Sequence, residues 1–178
     1  MSALKMVVLF VVLTALSNLG TVAALPWIVN AVVMHKIAAL AGGYNRALPA
    51  PRADASARTV VRPSPDLLYT ACVFDVSERP LHITAPVQDS YVSIAGFAAD
   101  TSNFFAINDA AVQPGPDGRK SFDVVLTKRD ALNIPAGVRI ITAPSDKGLI
   151  LFRSLITNEV DLPRLQKNFQ EKQLCTPL

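Results

Sequence analysis

Hydrophobic and polar positions divide the chain into three stretches of different rhythm. Residues 7–25, VVLFVVLTALSNLGTVAAL, carry no charge and are interrupted only by Thr14, Ser17, Asn18 and Thr21 among polar side chains. As a helix rising about 1.5 Å per residue, this stretch matches the hydrocarbon thickness of a bilayer. Pro26 and Trp27 follow, and Trp favours the membrane–water boundary. A second apolar piece, 28–41, is broken by Asn30, His35 and Lys36. It either extends the helix past a proline kink or lies along the membrane surface. Residues 1–41 thus read as an anchor. Residues 42–59, GGYNRALPAPRADASART, lack apolar periodicity and read as a linker.

From residue 60 to 178 the rhythm changes to period two. In 67–76, LLYTACVFDV, Leu68, Thr70, Cys72, Phe74 and Val76 share one face, with Tyr69 and Asp75 on the other. Segments 81–85, 90–97, 103–107, 122–128, 138–143 and 148–156 read similarly. Turn signals separate them at 88–89, 114–118, 133–137 and 143–148. Short strands without long helical patterns between them predict a mainly β body, an antiparallel sandwich or barrel. One short helix is predicted near the C-terminus. Asp161 is positioned to cap it, Pro163 fits its first turn, and Leu162, Leu165 and Phe169 fall on one stripe.

Charge changes this picture little. Of 17 Lys and Arg, only Lys5 and Lys36 fall in residues 1–44, which hold no acid, so 15 basic and 14 acidic residues remain beyond. A nearly neutral body lacks the clustered basic excess that nucleic acid requires. A secretory signal is the rival to the anchor, with Lys5 at its charged end and Thr21-Val22-Ala23 as a cleavage site. Cleavage there leaves an apolar N-terminus, ALPWIVNAVVMHKIAALA, which favours the uncleaved anchor. Lys36, Arg46 and Arg52 after the span weigh toward a cytoplasmic body by a literal positive-inside count. A short positive N-terminus fits the opposite arrangement, a single-pass inner-membrane protein with a periplasmic body, and that is the preferred reading. Cys72 and Cys175 permit one disulfide in an oxidising compartment or two buried thiols in a reducing one. Their spacing fits no metal motif, and no cofactor or metal is expected.

Candidate chemistry is sparse. The chain holds two histidines, His35 beside the anchor and His82 on a short strand, and no nucleophile elbow, phosphate loop or HExxH. No catalytic residue is assigned. In VVRPSPDLLY, residues 60–69, Pro63 and Pro65 hold the backbone extended, while Ser64 and Asp66 can bond nearby main chain. Arg153, in GLILFRSLI, shares a strand face with Leu149, Leu151 and Leu155. Burial there demands a partner, with Asp66 or Asp75 as candidates. The alternative is an anion-holding Arg at the floor of a pocket. Asp100, Asn103 and Asn108 lie beside Phe104-Phe105 in a segment that serves equally as a turn or a pocket rim.

The segments VVRPSPDLLYTACVFDVSERPLHITAP (60–86), SYVSIAGFAADTSNFFAIND (90–109) and GLILFRSL (148–155) occur in an order that resembles the family called domain of unknown function 1254. The resemblance implies a jelly-roll β-sandwich and, for this short anchored form, a membrane-associated bacterial protein. It also implies a partner, because longer members often carry a second module, numbered 1214, that a separate protein would supply here. No activity comes with the family. The polar cluster it covers is Arg62, Ser64, Asp66, Tyr69, Asn103 and Arg153. Three function classes follow. The leading one is a non-catalytic binding or partner-interaction module of the cell envelope. The alternatives are an envelope hydrolase or carbohydrate-active enzyme with a pocket around Asp66, Tyr69 and Arg153, and a purely structural subunit.

Overall fold

The computed structural model describes residues 2–57, 63–88, 90–115, 118–128 and 137–178. Helix α1 spans Ala3–Ala41 as 39 unbroken residues that include Pro26. At about 1.5 Å per residue it is roughly twice as long as a hydrocarbon core is thick. The apolar piece after Pro26 is therefore a continuation of the first helix. Proline costs that helix one backbone bond without ending it. Glycine ends it: Gly42 takes φ 76°, a left-handed conformation without penalty where no Cβ exists. The Gly43 N–H then returns to the Ala38 carbonyl at 2.8 Å.

The body contains strands β1 Ala47–Pro49, β2 Leu67–Asp75, β3 Leu81–Pro86, β4 Val92–Ala98, β5 Asn103–Asn108, β6 Ser121–Thr127, β7 Arg139–Thr142, β8 Lys147–Leu155 and β9 Leu174–Pro177, with α2 at Leu162–Asn168. They form two sheets, ordered β1-β2-β8-β4-β5 and β7-β6-β3-β9. The fold is the expected two-sheet sandwich, but β6 and β7 run parallel and β1 and β9 are strands that the alternation did not predict. The predicted turn residues 89, 116–117 and 133–136 lie outside the described residues.

Alternation builds the core. Cys72 and Phe74 of β2, Ile150 and Phe152 of β8, and Ile94 of β4 face inward and cluster with Leu81, Ile83, Phe122, Val124 and Leu126 from the second sheet, and Leu68 of β2 is buried as well. Burial of that many apolar side chains is the main driving force for the body's folding. Cys72 and Cys175 join the sheets by a disulfide between β2 and β9, closing 103 residues of sequence. Gly148 is required by its neighbours, since a Cβ there would strike the Phe97 carbonyl and the Phe74 ring. At the C-terminus, Leu165 and Phe169 bury as the stripe predicted. Asp161 sits at the N-cap of α2 but makes no side-chain cap bond. Its backbone there is already helical, whereas an extended cap residue can fold its side chain back. Asn158 does so one turn earlier, accepting from the Val160 N–H at 3.0 Å.

The first part of the stretch read as a linker, residues 43–50, is tied to the body. Asn45, at φ 59°, donates through Nδ2 to the Asp75 carbonyl at 2.9 Å and accepts the Asp75 N–H at 2.7 Å. Two residues later β1 pairs with β2. The far end of α1 packs on the outer face of the first sheet. Met34 and Ala38 bury with Val73, flanked by Ile37 and Leu149. Asn30 donates to the carbonyls of Ala98 at 2.8 Å and Ala99 at 3.1 Å. The spacing 30, 34, 38 follows the i, i+4 ridge of a helix. By contrast, every residue from 2 to 25 is exposed.

Candidate functional site: the polar row on the outer sheet face

Antiparallel register places four side chains in one row across the outer face of the first sheet. Tyr69 of β2 faces Arg153 of β8, Arg153 faces Ser93 of β4, and Ser93 faces Asn108 of β5. Directly opposed residues of a sheet hold their Cβ atoms about 4.5–5.5 Å apart, so each member neighbours the next. The strands alternate as Tyr69 does against Leu68 and Thr70, which sends the apolar partners into the core and leaves this row outside. Arg153 lies on the central strand of the five.

Tyr69 is fixed from its far end, where its Oη accepts the Ser64 N–H at 3.0 Å. Ser64 in turn accepts the Asp66 N–H at its Oγ, 3.3 Å, and its carbonyl receives the Leu67 N–H at 3.4 Å. The Pro-Ser-Pro-Asp segment is thus a tight strand entry locked onto the tyrosine. Arg153 is half-buried, with Nε buried and unpartnered, and its neighbour Ser93 is 3% exposed with an unpartnered Oγ.

The ion pair expected for Arg153 does not form with either candidate. Asp66 is exposed in the turn before β2, and no ion pair joins it to Arg153. Asp75 shares the outer face but lies six residues along β2 from Tyr69, about 20 Å at strand spacing. It is engaged by Lys147 at 3.4 Å and by Ser77. Burial works against the Asp75 charge, but the Ser77 hydroxyl and N–H together with Lys147 outweigh it and hold the carboxyl below its ordinary value. The carboxyls of Asp54 and Asp100 are likewise lowered, first by hydrogen bonds from Ser56 and Ser102 respectively.

Asn103 does not join the row. Its Nδ2 donates to the carbonyls of Gly96 and Phe105, both at 3.1 Å, and braces the irregularity between Gly96 and Phe97. Arg62 lies outside the described residues. Of the six predicted polar residues the fold therefore brings together Ser64, Tyr69 and Arg153. Asn108, read in the sequence as part of a turn or pocket rim, joins them, and Ser93 is an addition for which alternation around Val92 and Ile94 was the signal. Elsewhere His82 contacts Asp123 on the second sheet at 2.7 Å. A shallow cleft of about 260 Å³ lies between Pro49–Pro51 and Gln166, Gln170 and Glu171. Gln170 closes its floor by donating to the carbonyls of Ala50 and Tyr69, each at 3.0 Å. Among the described residues no group of three or more His, Cys, Asp or Glu could hold a metal ion.

Fold and row together define a two-sheet β-sandwich behind a long apolar N-terminal helix. The chain belongs to the family described as Protein of unknown function (DUF1254), whose profile matches residues 44–177. Among solved structures it is similar to the VPA0106 protein from Vibrio parahaemolyticus, at 17% identity and TM-score 0.54, over 65% of this chain and 28% of that one. It is also similar to an uncharacterised protein from Burkholderia cenocepacia, at 14% identity and TM-score 0.53, over 80% of this chain and 38% of that one. The chain thus spans well under half the length of both. A comparison with curated proteins found no match.

Proposed function

We propose that this protein is a single-pass inner-membrane protein whose sandwich body works on the periplasmic side as a non-catalytic binding module. Its partner in this reading is a separate protein that supplies the companion 1214 module. The observation that carries the reading is the division of α1. Its first half is apolar and exposed throughout, as a lipid-facing span must be, while its second half is packed into the body by Asn30, Met34 and Ala38. The buried Cys72–Cys175 disulfide supports an oxidising compartment and so outweighs the positive-inside count.

The test is protease treatment of intact spheroplasts, with the chain followed by an antibody to the body. Degradation of the body, with a fragment of α1 retained in the membrane and resistant to carbonate extraction, is the expected result. Protection of the body until the membrane is lysed would overturn the periplasmic assignment. Release of the body into the soluble fraction would overturn the anchor. Cross-linking in native membranes addresses the partner, with a second β-rich protein as the expected capture.

A further inference from the structure

We propose that Arg153 and Ser93 form a phosphate-binding site on the outer face of the first sheet. The site is independent of the partner reading above. Three polar donors converge there. The guanidinium fork offers Nε and an Nη on one edge, and the Ser93 hydroxyl stands directly across the β8–β4 ladder from it. Nε and Ser93 Oγ are both buried and both without a hydrogen-bond partner. Ser93 is 3% exposed, so bulk water does not serve its hydroxyl. Arg153 as a whole is half-buried, so solvent reaches part of its side chain, and a ligand gains the buried Nε and Ser93 Oγ when the guanidinium swings outward.

The chemistry of the donors selects the ligand. All are hydrogen-bond donors toward an acceptor, and no carboxylate of the described residues pairs with Arg153. An arginine keeps its charge at any physiological pH and cannot relieve burial by losing a proton. A guanidinium fork takes two oxygens of an oxyanion in parallel, and the serine hydroxyl reaches a third. A carboxylate offers two oxygens and a phosphate offers more, so the tetrahedral group uses all three donors. Tyr69 forms one wall. Its Oη is held by the Ser64 N–H, which keeps the ring beside Arg153. Ala71 and Ala95 on the adjoining strands, one position-pair along, are small and do not crowd the guanidinium.

A phosphate group could come from inorganic phosphate or from a phospholipid headgroup, and the two sources separate experimentally. Full-length protein in phosphorus-free dodecyl maltoside micelles is dialysed against labelled inorganic phosphate at constant ionic strength set with chloride. The expected result is saturable binding that falls at least tenfold in Arg153→Gln and several-fold in Ser93→Ala, with Arg153→Lys intermediate because it keeps the charge and loses the fork. Circular dichroism checks that each variant is folded, and Ser93→Ala carries the test if an arginine variant is not. Phosphatidylglycerol doped into the micelles displaces the label from wild type if the headgroup is the physiological source. Lack of displacement assigns the site to the free anion. Weak binding equal in wild type, Arg153→Gln and Ser93→Ala would mark an adventitious ion only and overturn the proposal, provided doped phosphatidylglycerol also binds all three alike.

Discussion

The two faces of the first sheet are made by the same strands and behave differently. Inward, Leu68, Cys72, Phe74, Ile94, Ile150 and Phe152 are fully buried, apolar and stapled to the second sheet by the disulfide. Outward, the alternate residues meet a helix over one part, at Val73 and Leu149, and form the row Tyr69, Arg153, Ser93 and Asn108 over another. The inner face is specified by volume and tolerates little. The outer face is specified by what docks on it, so its side chains can serve binding at small cost to the fold. Single substitutions should separate these two kinds of position.

The largest effect is expected inside. Phe152→Ala should cost about 3–5 kcal/mol of unfolding free energy, since it opens a cavity in a packed core. Urea titration in detergent micelles measures it, and a cost like that of an outer-face change would erase the distinction. Removing the staple with Cys72→Ala and Cys175→Ala should cost about 2–5 kcal/mol, because the disulfide closes a long loop in the unfolded chain. Reduction of the wild-type protein after unfolding should lower the midpoint to a similar degree.

Effects shrink on the outer face. Asn30→Ala removes two hydrogen bonds from the helix to the β4 end and should cost about 1–2 kcal/mol. Amide exchange should rise along the second half of α1 while the core strands stay protected. Asp75→Asn should cost less than about 1 kcal/mol at pH 7. Because the folded carboxyl titrates below its unfolded value, its stabilisation is complete above the unfolded value. It is lost as pH falls through the lowered folded one. The gap between wild type and Asp75→Asn should therefore narrow as pH falls below the ordinary carboxylate range, and a gap that widened on acidification would contradict the assignment. Smallest is Arg153→Ala in phosphate-free buffer, expected within about 0.5 kcal/mol of wild type because no ion pair is broken. A loss of several kcal/mol would reveal a structural role for the arginine.

The strands were legible where alternation was long. Residues 67–76 and 148–156 show period two over many positions, and β2 and β8 occupy nearly those bounds. β1 was not legible, because three residues ending in proline carry no periodicity and owe their conformation to the β2 backbone beside them. Asn30 looked like an interruption of an apolar run, and its purpose emerges only when the fold brings the carbonyls of Ala98 and Ala99 within reach. Arg153 was identifiable as unusual from its apolar neighbours. Its surroundings were not, since pairing register decides them: Tyr69 and Ser93 stand opposite it, and Asp66 stays in the exposed turn before β2.

The Asn45 clamp has a mechanical consequence. By exchanging two hydrogen bonds with the Asp75 backbone it acts as a one-residue strand, and Gly43 returns the chain to the helix only two residues earlier. Little slack remains between the helix and β2, and Asn30 secures the same helix at a second point on β4. Two fixings on different strands resist torsion as well as bending, so the joint is keyed and does not act as a swivel. A body mounted this way on a membrane span would present one azimuth to its surroundings. Encounters between such bodies in the plane of a bilayer would then be sorted by heading, since a copy facing the wrong way could not turn its working face without turning its helix in the lipid.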